Sequence, residues 1–317
     1  MTFLDSIPFF RHIRSPITDD QLTPLDSRCG RVQFNSPLTE KDHIKLAKFL
    51  RGYPKIPLRI YGHGITNLLF LKHYPSLAGI QVDIYRLEST EGIEFLPDTL
   101  ESFGLSQTET KKLSLGFLQR FGRLKNLYLE SHTKDIEVIS NLSSLEQLTI
   151  RSITLPNLTL LLPLRNLWSL DIKLGGTTNL TALSRLKSLK YLELWMVRGL
   201  SDLSVISELC SLQNLKLEAL KNVTRIPSLR KLRKLRRIRL QLMKGISDLS
   251  PLLEAKSLED IIITHARHLD PEVFTPLLKH PSLKAIGFGL GSDKKNKTVA
   301  AMFPHLRDTI QYPFIYR

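Results

Sequence analysis

Two histidines three positions apart, His265 and His268, lie beside Asp270 in the stretch THARHLD. Side chains at this spacing converge on a metal ion when they share one face of a helix. The stretch follows an apolar run that ends near Ile263, which places it in a turn, and neither a third nor a fourth ligand is evident in the sequence. We therefore predict no metal site here.

A second stretch, GFGLGSDKKNKT, from Gly287 to Thr298, combines glycines and lysines as phosphate-binding loops do. It lacks the adjacent Gly-Lys-Ser/Thr that aims backbone amides and a lysine at one phosphate. Neither a GxSxG nucleophile nor a Cys with a nearby His occurs. The sequence thus predicts a protein that is not an enzyme and holds no cofactor.

The stretch LRKLRKLRRIRL, from Leu229 to Leu240, carries seven Lys or Arg residues and resembles a nucleic-acid tract at first sight. Its apolar residues step by three and then by two, which neither a helix nor a strand keeps on one face. The same spacing recurs in LKSLKYLEL and LCSLQNLKL. This basic stretch is therefore one copy of a repeat, and repeat geometry scatters its charges.

The repeat is regular over most of the chain. The second apolar residue of each copy falls at Leu124, Leu145, Leu167, Leu189, Leu212, Leu235, Leu258 and Leu283, with offsets of 21, 22, 22, 23, 23, 23 and 25 residues. Weaker copies begin near Leu58, Leu77 and Leu100. A constant interval of this length indicates a solenoid in which each unit packs on its neighbours.

The core LxxLxL, carried by Leu189, Leu192 and Leu194, resembles the leucine-rich repeat family. The resemblance implies an α/β fold, a solenoid or horseshoe with a curved parallel sheet and terminal caps. The family commonly has Asn or Cys three residues after the last strand leucine, whereas this chain has Val197, Leu220, Met243 and Ala266. The motifs LSDLS and ISDLS look like turns of the cysteine-containing and internalin-like subclasses, and both subclasses stay open.

Three segments follow from these patterns. Residues 1–54 are predicted to form an N-terminal cap, with a loop-like start, a strand in GRVQF and an amphipathic helix in TEKDHIKLAKFLRGYP. Residues 55–291 are predicted to form the repeat array. Residues 292–317 are predicted to form a C-terminal cap, because an uncovered last repeat would leave apolar faces in water.

The composition limits the setting and the partner. No apolar run approaches the roughly 20 residues that span a bilayer, the N-terminus does not read as a signal peptide, and the two cysteines do not suggest a disulfide framework. We expect a cytoplasmic protein that does not enter a membrane. The net charge of +15 favours a partner with an acidic surface, and nucleic acid is the less favoured reading.

Alternate residues of each strand should face the concave side of the sheet. Aromatic and arginine residues in mixed-charge surroundings are typical of protein-binding hot spots. The candidate protein-binding residues are Tyr128, Arg151, Trp168, Asp171, Tyr191, Glu193, Trp195, Lys216, Glu218, Arg237 and Arg239. The competing interpretation is structural, since Glu193 can pair with Lys216 across the sheet and Trp195 can cover its neighbours.

The sequence therefore predicts a non-catalytic protein that binds another protein through its concave face. One concrete form is an inhibitor or immunity protein that covers a toxin or enzyme, similar to the leucine-rich ribonuclease inhibitors. The alternative is an adaptor or regulatory subunit that recruits an acidic protein. A third hypothesis is a nucleic-acid binder that uses the basic turn residues Arg230, Lys231, Arg233 and Lys234.

Overall fold

The computed structural model of the protein describes residues 9–110, 112–307 and 314–317. Its main elements are short parallel strands that recur at the predicted interval. In chain order these are β1 Phe9–His12, β2 Cys29–Phe34, β3 Leu58–Tyr61, β4 Gly79–Asp83, β5 Ser102–Leu105, β6 Asn126–Glu130, β7 Gln147–Arg151, β8 Ser169–Lys173, β9 Tyr191–Trp195, β10 Asn214–Glu218, β11 Arg237–Gln241, β12 Asp260–Thr264 and β13 Ala285–Phe288.

Most of the connections after β3 contain a short 3-10 helix that returns the chain to the start of the next strand. These helices are Leu69–His73, Ile93–Phe95, Gly116–Arg120, Ile136–Asn141, Thr159–Leu161, Thr181–Arg185, Ser204–Glu208, Ser250–Glu254 and Pro271–Lys279, and Asp19–Leu22 is a further 3-10 helix near the start. The described residues contain two α-helices, α1 Glu40–Leu50 and α2 Asp293–Met302. The predicted α/β fold with a parallel sheet is confirmed.

The chain divides into two compact units, Met1–Leu148 and Thr149–Arg317. In the first unit the strands pair in the order β1-β2-β3-β4-β5-β6, and in the second unit in the order β8-β9-β10-β11-β12-β13. Strand β7 contains the boundary between the units. Every strand pair within a unit is parallel and joins neighbours in sequence, as a repeat array requires.

The register of the central strands follows the leucines of the repeat. Leu215 of β10 lies opposite Leu192 of β9 and Ile238 of β11. All three are fully buried. The alternate residues of each strand point away from these packed leucines, on the side of the sheet that we call the outer face. The strands at 191–195, 214–218 and 237–241 therefore lie side by side, and their residues alternate between the two faces as the repeat pattern predicts.

A residue with left-handed backbone geometry follows each of the strands β6 to β12. These residues, with φ between 50° and 66°, are Ser131, Ser152, Leu174, Met196, Ala219, Leu242 and His265. The next position turns inward, where Val197, Leu220, Met243 and Ala266 are buried. Buried apolar side chains thus stand at the positions where the leucine-rich repeat family commonly has Asn. In each case the left-handed residue before them is not a glycine.

The N-terminal region departs from the sequence prediction at one point. The expected strand and helix are present as β2 and α1, and Thr39 begins the helix with a capping box that includes Asp42. The segment interpreted as loop-like contains β1, which pairs with β2. The alternation in FFRH is too short to distinguish a strand from a loop by pattern alone.

At the other end, the Ser292 side chain caps α2, and Arg307 forms a parallel bridge with Ala285 of β13. Residues 308–313 of the predicted C-terminal cap lie outside the described residues. The segment 314–317 contacts other strands, as described below. Within the described ranges, none of the helices is both long and apolar enough to cross a membrane.

Candidate protein-binding surface

Ten of the eleven predicted binding residues lie in the second unit. They stand on the outward positions of β7 to β11 or, for Trp168, directly before β8. The exception is Tyr128, which lies on β6 in the first unit and donates a hydrogen bond from its hydroxyl to Glu130 at 2.9 Å. The second unit therefore contains the larger candidate surface.

A row of charged side chains crosses β8, β9 and β10, and Glu193 stands at its centre. The Glu193 carboxylate accepts from Lys216 Nζ at 2.9 Å, from Lys173 Nζ at 3.0 Å and from the Tyr191 hydroxyl at 2.7 Å. Lys173 also contacts Asp171, and Lys216 also contacts Glu218, both at 2.9 Å. We call Asp171, Lys173, Glu193, Lys216 and Glu218 the ion-pair row.

The row includes the structural pairing of Glu193 with Lys216 that the sequence left open. Glu193 is only 5% exposed although it faces outward, because Tyr191 and the two lysines surround it. Charged groups held this firmly lose little side-chain entropy when a partner binds. The pairing is thus compatible with a binding surface as well as with a purely structural role.

Asp171 and Glu193 differ in their protonation behaviour. Burial and a hydrogen bond with Glu193 raise the pKa of Asp171 to about 6. Burial also opposes the ionisation of Glu193, but hydrogen bonds from Asp171 and Lys216 outweigh it and lower the pKa of Glu193. These opposite shifts favour a proton on Asp171 and a negative charge on Glu193, with a hydrogen bond between the two carboxyl groups.

Trp195, at the end of β9, lies next to the ion-pair row and is half-buried. The guanidinium carbon of Arg151 is 5.3 Å from the centroid of its indole ring. A cation over an indole face is attracted by the ring quadrupole. Arg151 and Trp195, both predicted binding residues, therefore form one cation–π pair.

The two predicted arginine contacts have different environments. Arg237 is 7% exposed, and its Nε donates to Asp260 at 2.5 Å, so much of its charge is engaged within the sheet. Arg239 is half-buried, and its Nε has no hydrogen-bond partner in the described part of the chain. Of the two, Arg239 is the better placed to meet an acidic group on a partner.

The segment Phe314–Arg317, which the sequence assigned to the cap, lies against this surface. The ring of Tyr316 is 5.1 Å from that of Trp168 and 6.4 Å from that of Tyr191. The ring of Phe314 lies 5.2 Å from the guanidinium carbons of both Arg236 and Arg237. We refer to Phe314–Arg317 as the covering segment.

Two amide side chains at the start of β10 also hold the covering segment. Gln213 accepts from the main-chain N–H of Arg317 at 2.9 Å and donates to its main-chain oxygen at 2.5 Å. Asn214 donates to the Tyr316 hydroxyl at 3.4 Å. These contacts could not be predicted from the sequence, since neither the repeat period nor local composition links residues about 100 positions apart in sequence.

The basic stretch divides as the repeat predicts, with Arg237 and Arg239 on β11 and the remaining charges before it. Lys231 pairs with Glu208 at 2.7 Å, and Arg230 approaches Glu254 at 4.0 Å. Arg233 and Lys234 line a groove that also contains Lys256 and Lys284. Two of the four turn cations thus already have carboxylate neighbours.

The two histidines have separate environments. His268 contacts the main-chain oxygen of Ile246 at 2.8 Å, and His265 occupies the left-handed position after β12. Across residues 9–110, 112–307 and 314–317, no cluster of three or more His, Cys, Asp or Glu side chains could hold a metal ion.

No family model matches the sequence, and no curated protein matches it either. Solved structures do. An internalin of Listeria monocytogenes is 16% identical, covers 89% of this chain and 79% of its own, and superposes with a TM-score of 0.55. A leucine-rich repeat protein of Leptospira interrogans is 16% identical, covers 89% of this chain and 78% of its own, with a TM-score of 0.52.

A third similar structure is that of TLR13 in complex with the single-stranded RNA ssRNA13. It is 18% identical, covers 88% of this chain and 49% of its own, and has a TM-score of 0.52. At such low identities the similarities concern the fold.

Proposed function

We propose that this chain, which has the leucine-rich repeat fold, binds another protein through the outer face of β8 to β11 in its second unit. The observation that supports the proposal most directly is the ion-pair row around Glu193, flanked by Trp195. Leucine packing alone would maintain the strands. A set of partly buried, fixed charges on the outer face adds a patterned surface that a partner can complement.

The aromatic residues supply the apolar part of that surface. Trp168, Tyr191 and Trp195 bracket the charges on both sides, and aromatic side chains bury much area with few rotatable bonds. We expect Trp195 to fill a pocket on the partner. The role that we propose is non-catalytic binding. Following the sequence, we place this binding in the cytoplasm.

The experiment compares capture of the partner by immobilised wild-type protein and by the Trp195→Ala variant, with nuclease present in both. Loss of an anchor at the centre of an interface should weaken binding by about 2 kcal/mol or more, which is roughly thirtyfold. Leu278→Ala is the matched control, because Leu278 is an exposed apolar residue on the 3-10 helix after β12. Equal capture by all three proteins would contradict the proposal.

A narrower form of the proposal is an inhibitor or immunity protein that covers a toxin or enzyme, and the alternative is an adaptor. The two differ in what happens to the captured partner. If the captured protein is an enzyme, its activity should fall in proportion to complex formation when the chain inhibits it. An adaptor would leave the activity unchanged and bring a second protein into the complex.

Nucleic-acid binding is the second candidate, and the basic groove formed by Arg233, Lys234, Lys256 and Lys284 supports it. TLR13 is similar in fold and is solved with RNA. Binding of this kind should weaken steeply with salt, depend on Arg233 and Lys234, and be insensitive to Trp195→Ala. Capture that nuclease abolishes would favour this candidate over protein binding.

A further inference from the structure

The covering segment occupies the candidate surface with contacts that are typical of peptide recognition. Gln213 uses both atoms of its amide on the main chain of one residue, Arg317. Gln213 is 4% exposed, so it is a buried and fixed group rather than a mobile surface chain. A side-chain amide that bonds to a main-chain N–H and oxygen can hold an extended segment whatever its side chains are.

The side chains of the segment alternate as in an extended strand. Phe314 and Tyr316 face the sheet, the first over Arg236 and Arg237 and the second beside Trp168 and Tyr191. Ile315 between them is 75% exposed. Aromatic residues two positions apart are therefore what the surface selects, because only alternate side chains of an extended chain reach it.

The segment does not satisfy every polar group beneath it. Asn214 is 7% exposed, and its side-chain oxygen has no hydrogen-bond partner among the described residues. The same holds for Nε of Arg239. A buried acceptor or donor without a partner costs about 1 to 3 kcal/mol. A ligand with an N–H near Asn214 and a carboxylate near Arg239 would remove that cost.

We propose that this surface binds an extended segment of a partner protein with aromatic residues at positions i and i+2 and an acidic residue nearby, and that the covering segment competes for the same site. This inference rests on the proposed function and narrows the class of partner. The covering segment has the two aromatic residues and lacks the acidic one, so a partner that has all three can displace it.

The first experiment adds a fluorescently labelled peptide with the sequence of residues 311–317 to full-length protein and follows its polarisation. The double variant Phe314→Ala/Tyr316→Ala should bind the peptide at least about tenfold more tightly than the wild type, because its own segment no longer competes. The Ile315→Ala variant is the matched control and should behave as the wild type, since Ile315 points away from the sheet.

Two further arms test which contacts matter. A peptide with both aromatic residues replaced by alanine should not bind the double variant. Adding Gln213→Ala to the double variant should weaken the intact peptide by about tenfold, because the main-chain contact is lost. A peptide in which an aspartate stands two positions after the tyrosine, on the face that reaches the sheet, should bind more tightly than the original and lose that advantage in Arg239→Gln.

The second experiment tests whether the segment covers the surface in the isolated protein. The chain has two tryptophans, so a Trp195→Phe background leaves Trp168 as the reporter. Removing Tyr316 in that background should change the emission of Trp168, whereas Ile315→Ala should not. Thermal unfolding of each variant separates release of the segment from loss of the fold.

Results that contradict this inference differ from results that contradict the proposed function. Equal peptide affinity of the wild type and the double variant, or equal binding of the alanine peptide, would overturn the inference. An unchanged Trp168 emission in Tyr316→Ala would overturn the covering role. Capture of a folded protein that depends on Trp195 uses neither peptide nor segment, so the proposed function can stand when this inference falls.

Discussion

The guanidinium group of Arg151 lies over the indole ring of Trp195, although the two residues belong to β7 and β9 and are separated by a whole repeat. Lys173 on β8 stands opposite Trp195 in the sheet register. The repeat thus brings together side chains that no local sequence pattern connects. We therefore expect a change in either side chain to alter the environment of the other.

This pairing predicts a measurable coupling in a double-mutant cycle. Arg151→Gln and Trp195→Ala should each destabilise the protein slightly, and the double variant should lose about 0.5 to 1 kcal/mol less than the sum, the size of a partly exposed cation–π contact. Chemical denaturation of the four proteins measures it. Strictly additive effects would mean that the two side chains do not interact in solution.

The inward and outward residues of β10 should differ sharply in their effect on stability. Leu215 is fully buried, so Leu215→Ala should lower the free energy of unfolding by roughly 2 to 5 kcal/mol. Lys216→Ala removes two ion pairs on a partly exposed group and should cost about 1 kcal/mol or less. Denaturant midpoints test both, and similar losses would disprove the strand phase.

The stability should depend on pH through Asp171. Its pKa is raised in the folded protein to about 6 from an ordinary value of 3.8, so the folded state binds the extra proton between these values. Because the folded state binds this proton more tightly than the unfolded state, proton binding by Asp171 stabilises the fold. This stabilisation is fully present below pH 3.8 and is lost as the pH rises through about 6.

Asp171→Asn resembles the protonated form and should not lose stability in that window. Relative to the wild type, the variant should therefore become more stable by on the order of 1 kcal/mol as the pH increases from 4 to 7. Urea unfolding at several pH values measures the difference. Glu218→Gln serves as the control on the same row, and a pH-independent gap between Asp171→Asn and wild type would contradict the protonation of Asp171.

The two arginines of β11 should respond differently to removal of their charge. Arg237→Met leaves the Asp260 carboxylate in a buried place without its main cation, and should cost about 3 to 5 kcal/mol. Arg239→Met removes a group whose Nε has no partner among the described residues, and should cost little. Thermal and denaturant unfolding check this, and equal losses would contradict the assigned environments.

The sequence predicted the strands well because each one repeats the same pair of inward apolar residues. Leu192, Leu215 and Ile238 keep one phase at 23-residue intervals, so register follows from counting. The outward positions were predicted for the same reason. What they contact could not be predicted, since Arg237 has carboxylate and aromatic neighbours at different distances along the chain.

The covering segment is the clearest case of information that periodicity does not contain. Phe314 and Tyr316 lie outside the repeat, and their contacts with Trp168, Arg236 and Arg237 depend on the path of the chain after the last strand. The density of aromatic residues in PFIYR was the one available signal. It indicates that the segment is buried somewhere, without indicating where.

Replacing the residue directly after β10 with glycine should stabilise the protein. Ala219 has a φ of 52°, where a Cβ costs roughly 1 kcal/mol or more. Ala219→Gly should raise the free energy of unfolding by a few tenths to about 1 kcal/mol, after the greater freedom of glycine in the unfolded chain is included. Denaturant unfolding measures it, with Ala301→Gly within α2 as a control that should destabilise.

The left-handed position recurs in seven successive repeats, in each case directly after the strand. Glycine at any one of these positions should stabilise the folded protein by a similar amount. Glycines placed at one, three or five of them would give a graded series of proteins with the same recognition surface and increasing resistance to unfolding. Such a series would show whether capture of a partner depends on the stiffness of the scaffold, independently of the residues that touch it.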